Sequence, residues 1–181
     1  MTDTAASVLV LPGYQGSGPE HWQSQWEREH PAYLRVEQAD WDAPQVDEWV
    51  ATLHRAVLAQ PGPVVLVAHS LGCITVAHWA ARHGLPVAGA LLVAPADIDN
   101  AVDPGLRTFQ PIPLRSLPFP SIVVASSDDP WASIERSRRF AENWGARLVE
   151  LGPHGHINSD SKMGSWPQGQ ELLAELVSKA G

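Results

Sequence analysis

Apolar residues along this chain alternate between two patterns. Short continuous runs, rich in β-branched residues, lie near positions 7–12, 33–39, 63–68, 89–94, 121–126 and 147–151. Uninterrupted runs of this kind read as strands buried on both faces. Between them, apolar residues recur every three or four positions. Val46, Trp49, Val50, Leu53, Ala56 and Val57 form one helical face, and Leu172, Leu173, Leu176 and Val177 form another near the C-terminus. Trp22 and Trp26, four apart, fall on a helix after the first glycine-rich loop, and Cys73 to His83 read as a helix closed by Gly84. Strands alternating with helices predict an α/β fold, a doubly wound parallel sheet with helices on both faces. The segment 95–120 breaks the rhythm with Pro95, Pro104, Pro111, Pro113, Pro118 and Pro120. It cannot be a long helix. It is expected to run extended over the surface, to border the functional site and to leave the fold without a helical cap domain. With no repeat, low-complexity tract or internal boundary, residues 1–181 read as a single domain.

The most informative junction follows the third run, where Val64-Val65-Leu66-Val67-Ala68 gives way to His69-Ser70-Leu71-Gly72 and then to the helix pattern. Ser70 therefore sits on a tight strand-to-helix turn, with the helix N-terminus beneath it. This is the nucleophile elbow of the α/β-hydrolases, G-x-S-x-G, with Ala68 as the smallest substitute for the first glycine. A nucleophilic serine needs a base, and the base needs an orienting acid. In this fold they follow as acid and then histidine, each in a loop after a later strand. Ser127-Asp128-Asp129-Pro130-Trp131 follows the fifth run, and Gly152-Pro153-His154-Gly155-His156-Ile157-Asn158 follows the sixth. Each loop offers two candidates. Asp129 is preferred over Asp128 because Pro130 fixes the turn after it, and His156 over His154 because it follows Gly155 and precedes an apolar residue. Asp97 is a third-ranked acid, more simply read as a loop cap.

The oxyanion hole is expected at the backbone N–H groups of Leu71, which follows the serine, and Tyr14, in the loop Gly13-Tyr14-Gln15-Gly16-Ser17-Gly18. Gln15 is the next candidate for the second donor. The spacing of those glycines does not match the G-x-G-x-x-G of a dinucleotide site. Gln15, His69, Trp131 and Trp166 are the expected substrate-contacting residues, the two tryptophans because they lie beside the candidate acid and after the candidate histidine. Of the eight tryptophans, Trp41, Trp49, Trp79 and Trp144 are expected in the core.

Composition narrows the function further. A net charge of −8 argues against nucleic acid and anionic membrane surfaces, both of which call for basic patches. No run approaches membrane-spanning length, and the start lacks the basic lead of a signal peptide. The single cysteine, Cys73, excludes an intramolecular disulfide and fits a reducing, cytoplasmic compartment. It reads as a packed helix residue. The histidines show no metal-ligand spacing, so neither a metal nor any other cofactor is expected.

The chain resembles the small α/β-hydrolases related to retinoblastoma-binding protein 9, in particular their bacterial members. The resemblance covers nearly the whole chain: Pro12-Gly13-Tyr14-Gln15-Gly16-Ser17 with His21-Trp22, Trp41-Asp42-Ala43-Pro44 leading to Trp49, Ala68-His69-Ser70-Leu71-Gly72, Asp128-Asp129-Pro130 and Gly155-His156-Ile157-Asn158. It implies a six-stranded parallel sheet and a Ser-Asp-His triad at Ser70, Asp129 and His156. The L-x-C-x-E segment for which the human protein is named is absent, so that protein partner is not carried over. The expectation is a serine hydrolase acting on a small-molecule carboxylic ester or, second, on amides or short peptides. The alternative is a hydrolase-like fold used as a binding or scaffolding module.

Overall fold

The computed structural model describes residues 5–84 and 86–180. Six strands, β1 (Ser7–Leu11), β2 (Leu34–Arg35), β3 (Val64–His69), β4 (Gly89–Val93), β5 (Ser121–Ala125) and β6 (Arg147–Glu150), form one parallel sheet in the order β2-β1-β3-β4-β5-β6. The order reverses at β1 and β3, the point where doubly wound sheets open a crevice at the carboxyl ends of their strands. Helices α1 (Trp22–Glu29), α2 (Val46–Leu58), α3 (Leu71–Arg82), α4 (Pro104–Arg107), α5 (Ile134–Trp144) and α6 (Pro167–Ser178) join them.

Two apolar clusters, one on each side of the sheet, hold the layers together. Leu9, Leu11, Leu66, Ala68 and Leu92 face one way, toward Trp49 and Leu53 of α2 and Ile74 and Trp79 of α3. Val8, Val65, Val67, Leu91 and Val93 face the other way, toward Trp22 and Trp26 of α1 and Leu173 and Leu176 of α6. The strict alternation within each strand follows from the two-residue period of the pleat. Central strand β3 is buried throughout, so its apolar run needs no polar face.

Two expectations are corrected. The strand near 33–39 contracts to Leu34–Arg35 at the sheet edge; the chain leaves the sheet after Val36, whose N–H donates to the Val10 carbonyl. Helix α3 ends at Arg82 with an extended His83 as its C-cap and Gly84 just past it, while Gly145 closes α5 at φ 67°. The proline-rich segment is not merely a surface strap. It carries the short helix α4 and buries Ile98, Leu106, Phe109, Ile112, Leu117 and Phe119 beside α2, α3 and α5. Prolines forbid a long helix there without preventing burial of the apolar residues between them.

Candidate active site

The turn from β3 to α3 holds Ser70 at φ 56° and ψ −121°. A non-glycine residue in this region costs roughly 1–3 kcal/mol and persists only where its surroundings over-determine it. Two glycines do so here. A Cβ on Gly72 would overlap the Leu11 carbonyl, and one on Gly13 would lie 2.9 Å from both the His69 carbonyl oxygen and the Ser70 Cβ. The loop after β1 therefore packs directly on the elbow, backbone against backbone.

Ser70 Oγ lies 2.8 Å from His156 Nε2, and His156 Nδ1 lies 2.9 and 3.0 Å from the two carboxylate oxygens of Asp129. The His156 and Asp129 side chains are almost fully buried, at 8% and 3% exposure, so the contact is shielded from water. The backbone N–H of Trp131 donates to Asp129 Oδ1 at 2.8 Å and pins the carboxylate. Asp128 points elsewhere. Its Oδ1 accepts from Ser126 Oγ and from the Gly155 N–H, both at 2.8 Å, and Ser126 Oγ accepts the His154 N–H at 2.9 Å. These bonds fasten the loop carrying His156 to the loop carrying Asp129, and they hold the Asp128 carboxyl below the usual carboxylate range. His154 itself is exposed. Asp97 pairs with Arg136 instead of a histidine.

Gln15 N–H donates to the Trp41 carbonyl at 2.9 Å and is not free to bind a substrate oxygen. Among the described residues, the N–H groups of Tyr14 and Leu71 have no partner. Gly13 places them close together, since a Cβ there would touch Leu71 N at 3.0 Å.

A cavity of about 310 Å³ opens over Ser70. It is lined by the apolar Leu71, Ala96, Ile98 and Leu106 and by the polar His21, His69, His156 and Asn158. Tyr14, Gln15 and Trp131 stand around it; the Trp131 ring is 43% exposed, 6.1 Å from the His156 ring. His69 meets the cavity along one edge, while its Nε2–H donates to the His156 carbonyl at 2.9 Å. Burial drives the pKa of His69 well below the ordinary histidine value, so the ring is neutral.

Trp166 corrects the sequence reading. It does not line the cavity but is buried, stacked on Trp26 at 5.8 Å and set edge-on to Trp22 at 5.1 Å. Proximity in sequence to His156 misled, because Ile157 and the turn after it carry the chain back into the core. Conversely, sequence reasoning missed His21, Asn158 and Ser159 on the cavity wall, and it missed Gln23. Fully buried Gln23 donates from Nε2 to the carbonyls of Leu11 (3.1 Å) and Val67 (3.2 Å), near the ends of β1 and β3 that frame the elbow. A lone glutamine inside a helical pattern carries no such signal in the sequence.

Comparison with known proteins follows the same line. A family model described as serine hydrolase matches residues 8–175. The chain belongs to that serine hydrolase family. Among solved structures, this serine hydrolase is similar to a YdeN-like hydrolase from Pectobacterium atrosepticum. The two share 33% identity over 96% of this chain and 91% of that one, with a TM-score of 0.88. The ydeN gene product of Bacillus subtilis shares 24% identity over 96% of this chain and all of its own, with a TM-score of 0.80. Est1E from Butyrivibrio proteoclasticus, solved with ferulic acid bound, shares 14% identity over 97% of this chain and 91% of its own, with a TM-score of 0.76. The last two likenesses are of fold. No curated protein matches the sequence.

Proposed function

We propose that the protein hydrolyses carboxylic esters of small molecules through an acyl-enzyme on Ser70, with His156 as general base and acid and Asp129 as its orienting partner. The observation that carries this reading is the continuous 2.8–3.0 Å relay from Ser70 Oγ through His156 to Asp129 at the floor of an open cavity. With Nδ1–H donating to Asp129, the Nε2 lone pair of His156 faces the serine hydroxyl and takes its proton as Oγ attacks the ester carbonyl. The carbonyl oxygen, now an oxyanion, accepts from the N–H groups of Leu71 and Tyr14. Both are fixed before the substrate arrives, and Leu71 adds the positive end of α3. Collapse expels the alcohol, which takes the proton from Nε2. Water then attacks the acyl-enzyme by the same route in reverse and frees the acid and Ser70. Gln15 and Trp131 contact substrate at the mouth, and His69 contacts it from the wall.

The test is hydrolysis of p-nitrophenyl acetate and butanoate, followed before steady state. The expected result is a burst of p-nitrophenol approaching one equivalent, or steady turnover, in the wild type, with neither in Ser70→Ala. A folded wild-type protein that releases no p-nitrophenol above the solvent rate contradicts the reading.

A further inference from the structure

His156 is held by its backbone as well as by its ring, and the backbone grip comes from side chains outside the relay. The His156 carbonyl accepts the Nε2–H of His69 at 2.9 Å, and the next carbonyl, that of Ile157, accepts the Nε1–H of Trp22 at 2.8 Å. Both donors belong to buried side chains. A carbonyl can only accept, so the His69 ring proton is on Nε2. On the other flank the Gly155 N–H donates to Asp128. Three consecutive residues are therefore each tied to a different part of the fold. Gly155 is tied to the loop after β5, His156 to the last residue of β3, and Ile157 to the first residue of α1.

The two donor rings pack as one unit. His69 and Trp22 lie edge to face at 6.2 Å, and His21 packs on both, 4.6 Å from His69 and 5.4 Å from Trp22. The segment they hold requires support. Ile157 has φ 49°, a region that β-branched residues rarely enter and that persists only where the surroundings enforce it. His69 also directly precedes Ser70, so two consecutive residues meet two ends of His156. His69 takes its carbonyl, and Ser70 Oγ meets its Nε2 at 2.8 Å. The spacing of nucleophile and base is thereby fixed through the end of β3 as well as through their mutual hydrogen bond. Burial keeps the His69 ring neutral. A charged ring 4.9 Å away would oppose the imidazolium that His156 becomes during the reaction.

We propose that His69 and Trp22 are positioning residues, whose ring N–H groups clamp the carbonyls of His156 and Ile157 and so aim the His156 imidazole at Ser70. This inference rests on the ester-hydrolase reading and deepens it. The role passes through His156 and is separate from any contact of His69 with substrate.

The experiment measures kcat and KM for p-nitrophenyl butanoate, with folding checked by circular dichroism. His69→Leu removes the donor at similar volume, and His69→Gln replaces it, since a glutamine Nε2 reaches where the imidazole Nε2 stood. His69→Leu is expected to lower kcat about 10- to 100-fold, the scale of a catalytic group displaced by about an ångström, with KM nearly unchanged. His69→Gln is expected to recover most of that loss. Trp22→Phe keeps an aromatic ring without the N–H, and is expected to lower kcat about tenfold. Because both residues act through His156, neither His69→Leu nor Trp22→Phe is expected to change the residual rate of His156→Ala beyond about twofold.

Folded His69→Leu or Trp22→Phe with kcat within about threefold of wild type overturns the clamp at that residue. So does a loss that appears in KM instead, or a His69→Gln variant no faster than His69→Leu. A further loss beyond about twofold in the His156→Ala background shows a role that does not pass through the imidazole, and overturns it too. Should His69→Leu not fold, Trp22→Phe decides by the same two measures. A folded wild-type protein that releases no p-nitrophenol overturns the hydrolase reading and the clamp with it.

Discussion

Asp128 and Gly155 are joined by a 2.8 Å hydrogen bond that ties the loop after β5 to the loop after β6. The adjacent carboxylate, Asp129, meets the His156 ring instead. Two neighbouring aspartates thus divide the work: one orients the imidazole and the other positions the loop that carries it. Asp128→Asn keeps an acceptor oxygen and is expected to stay within about threefold of wild-type kcat, whereas Asp128→Ala loses about tenfold with little change in KM. Asp129→Asn favours the wrong histidine tautomer and is expected to lower kcat about 10⁴-fold. Steady-state kinetics on a p-nitrophenyl ester separates the three. Equal losses in Asp128→Asn and Asp129→Asn would contradict this division.

Gly13 is the contact between the loop after β1, which carries the proposed oxyanion donor Tyr14, and the turn that carries Ser70. In Gly13→Ala the new methyl meets backbone at 2.9 Å, so the loop carrying Tyr14 must move away from Leu71. Losing one oxyanion donor costs ~10²–10³ in rate. The variant is expected to fold, by circular dichroism, and to lose kcat on that scale rather than gain KM.

Gln23 bridges the carbonyls of Leu11 and Val67 while accepting from Ser17 Oγ at 2.6 Å. Gln23→Leu fills the same space and leaves these groups unsatisfied. Urea unfolding is expected to show a loss of about 2–4 kcal/mol, consistent with two or more buried polar groups without partners. A loss below about 1 kcal/mol would mean that water or rearrangement replaces the glutamine.

Stability should fall as the solution is acidified, well before the carboxylates titrate. His21 has a folded pKa of about 3 and His69 one well below the ordinary 6.5, both chiefly because burial penalises the charged ring. Below pH 6.5 the unfolded chain takes up protons that the folded chain refuses. Stability present above that value is therefore lost as pH falls through the window from 6.5 toward 3. Each ring contributes roughly 1 kcal/mol per pH unit inside the window. His78, lowered by burial despite its bond to the Phe109 carbonyl, adds in the same direction. Urea midpoints between pH 4.5 and 7.5 check the slope, and His21→Asn is expected to flatten it.

Most of the sheet was legible because β1, β3, β4 and β5 are buried on both faces, which leaves an unbroken apolar run in the sequence. Edge strand β2 has no such requirement, and it shrank to two residues. Ser70, Asp129 and His156 were legible because each follows a strand at the carboxyl end of a parallel sheet, where topology alone brings distant loops together. What hid was set by packing across the chain. Trp166 sits ten residues past His156 yet stacks on Trp26, and His21 reaches the cavity wall from the N-cap position of α1. Neither relation leaves a periodic or local trace.

The proposed chemistry requires Ser70 to be an activated nucleophile. The most direct measurement is fluorophosphonate labelling of wild type, Ser70→Ala and His156→Ala, read by intact mass and peptide mapping. The relay at 2.8–3.0 Å predicts one label per chain on the peptide containing Ser70, none in Ser70→Ala and greatly slowed labelling in His156→Ala. Folded wild-type protein that stays unlabelled at Ser70, or a His156→Ala variant labelled at the wild-type rate, would contradict it.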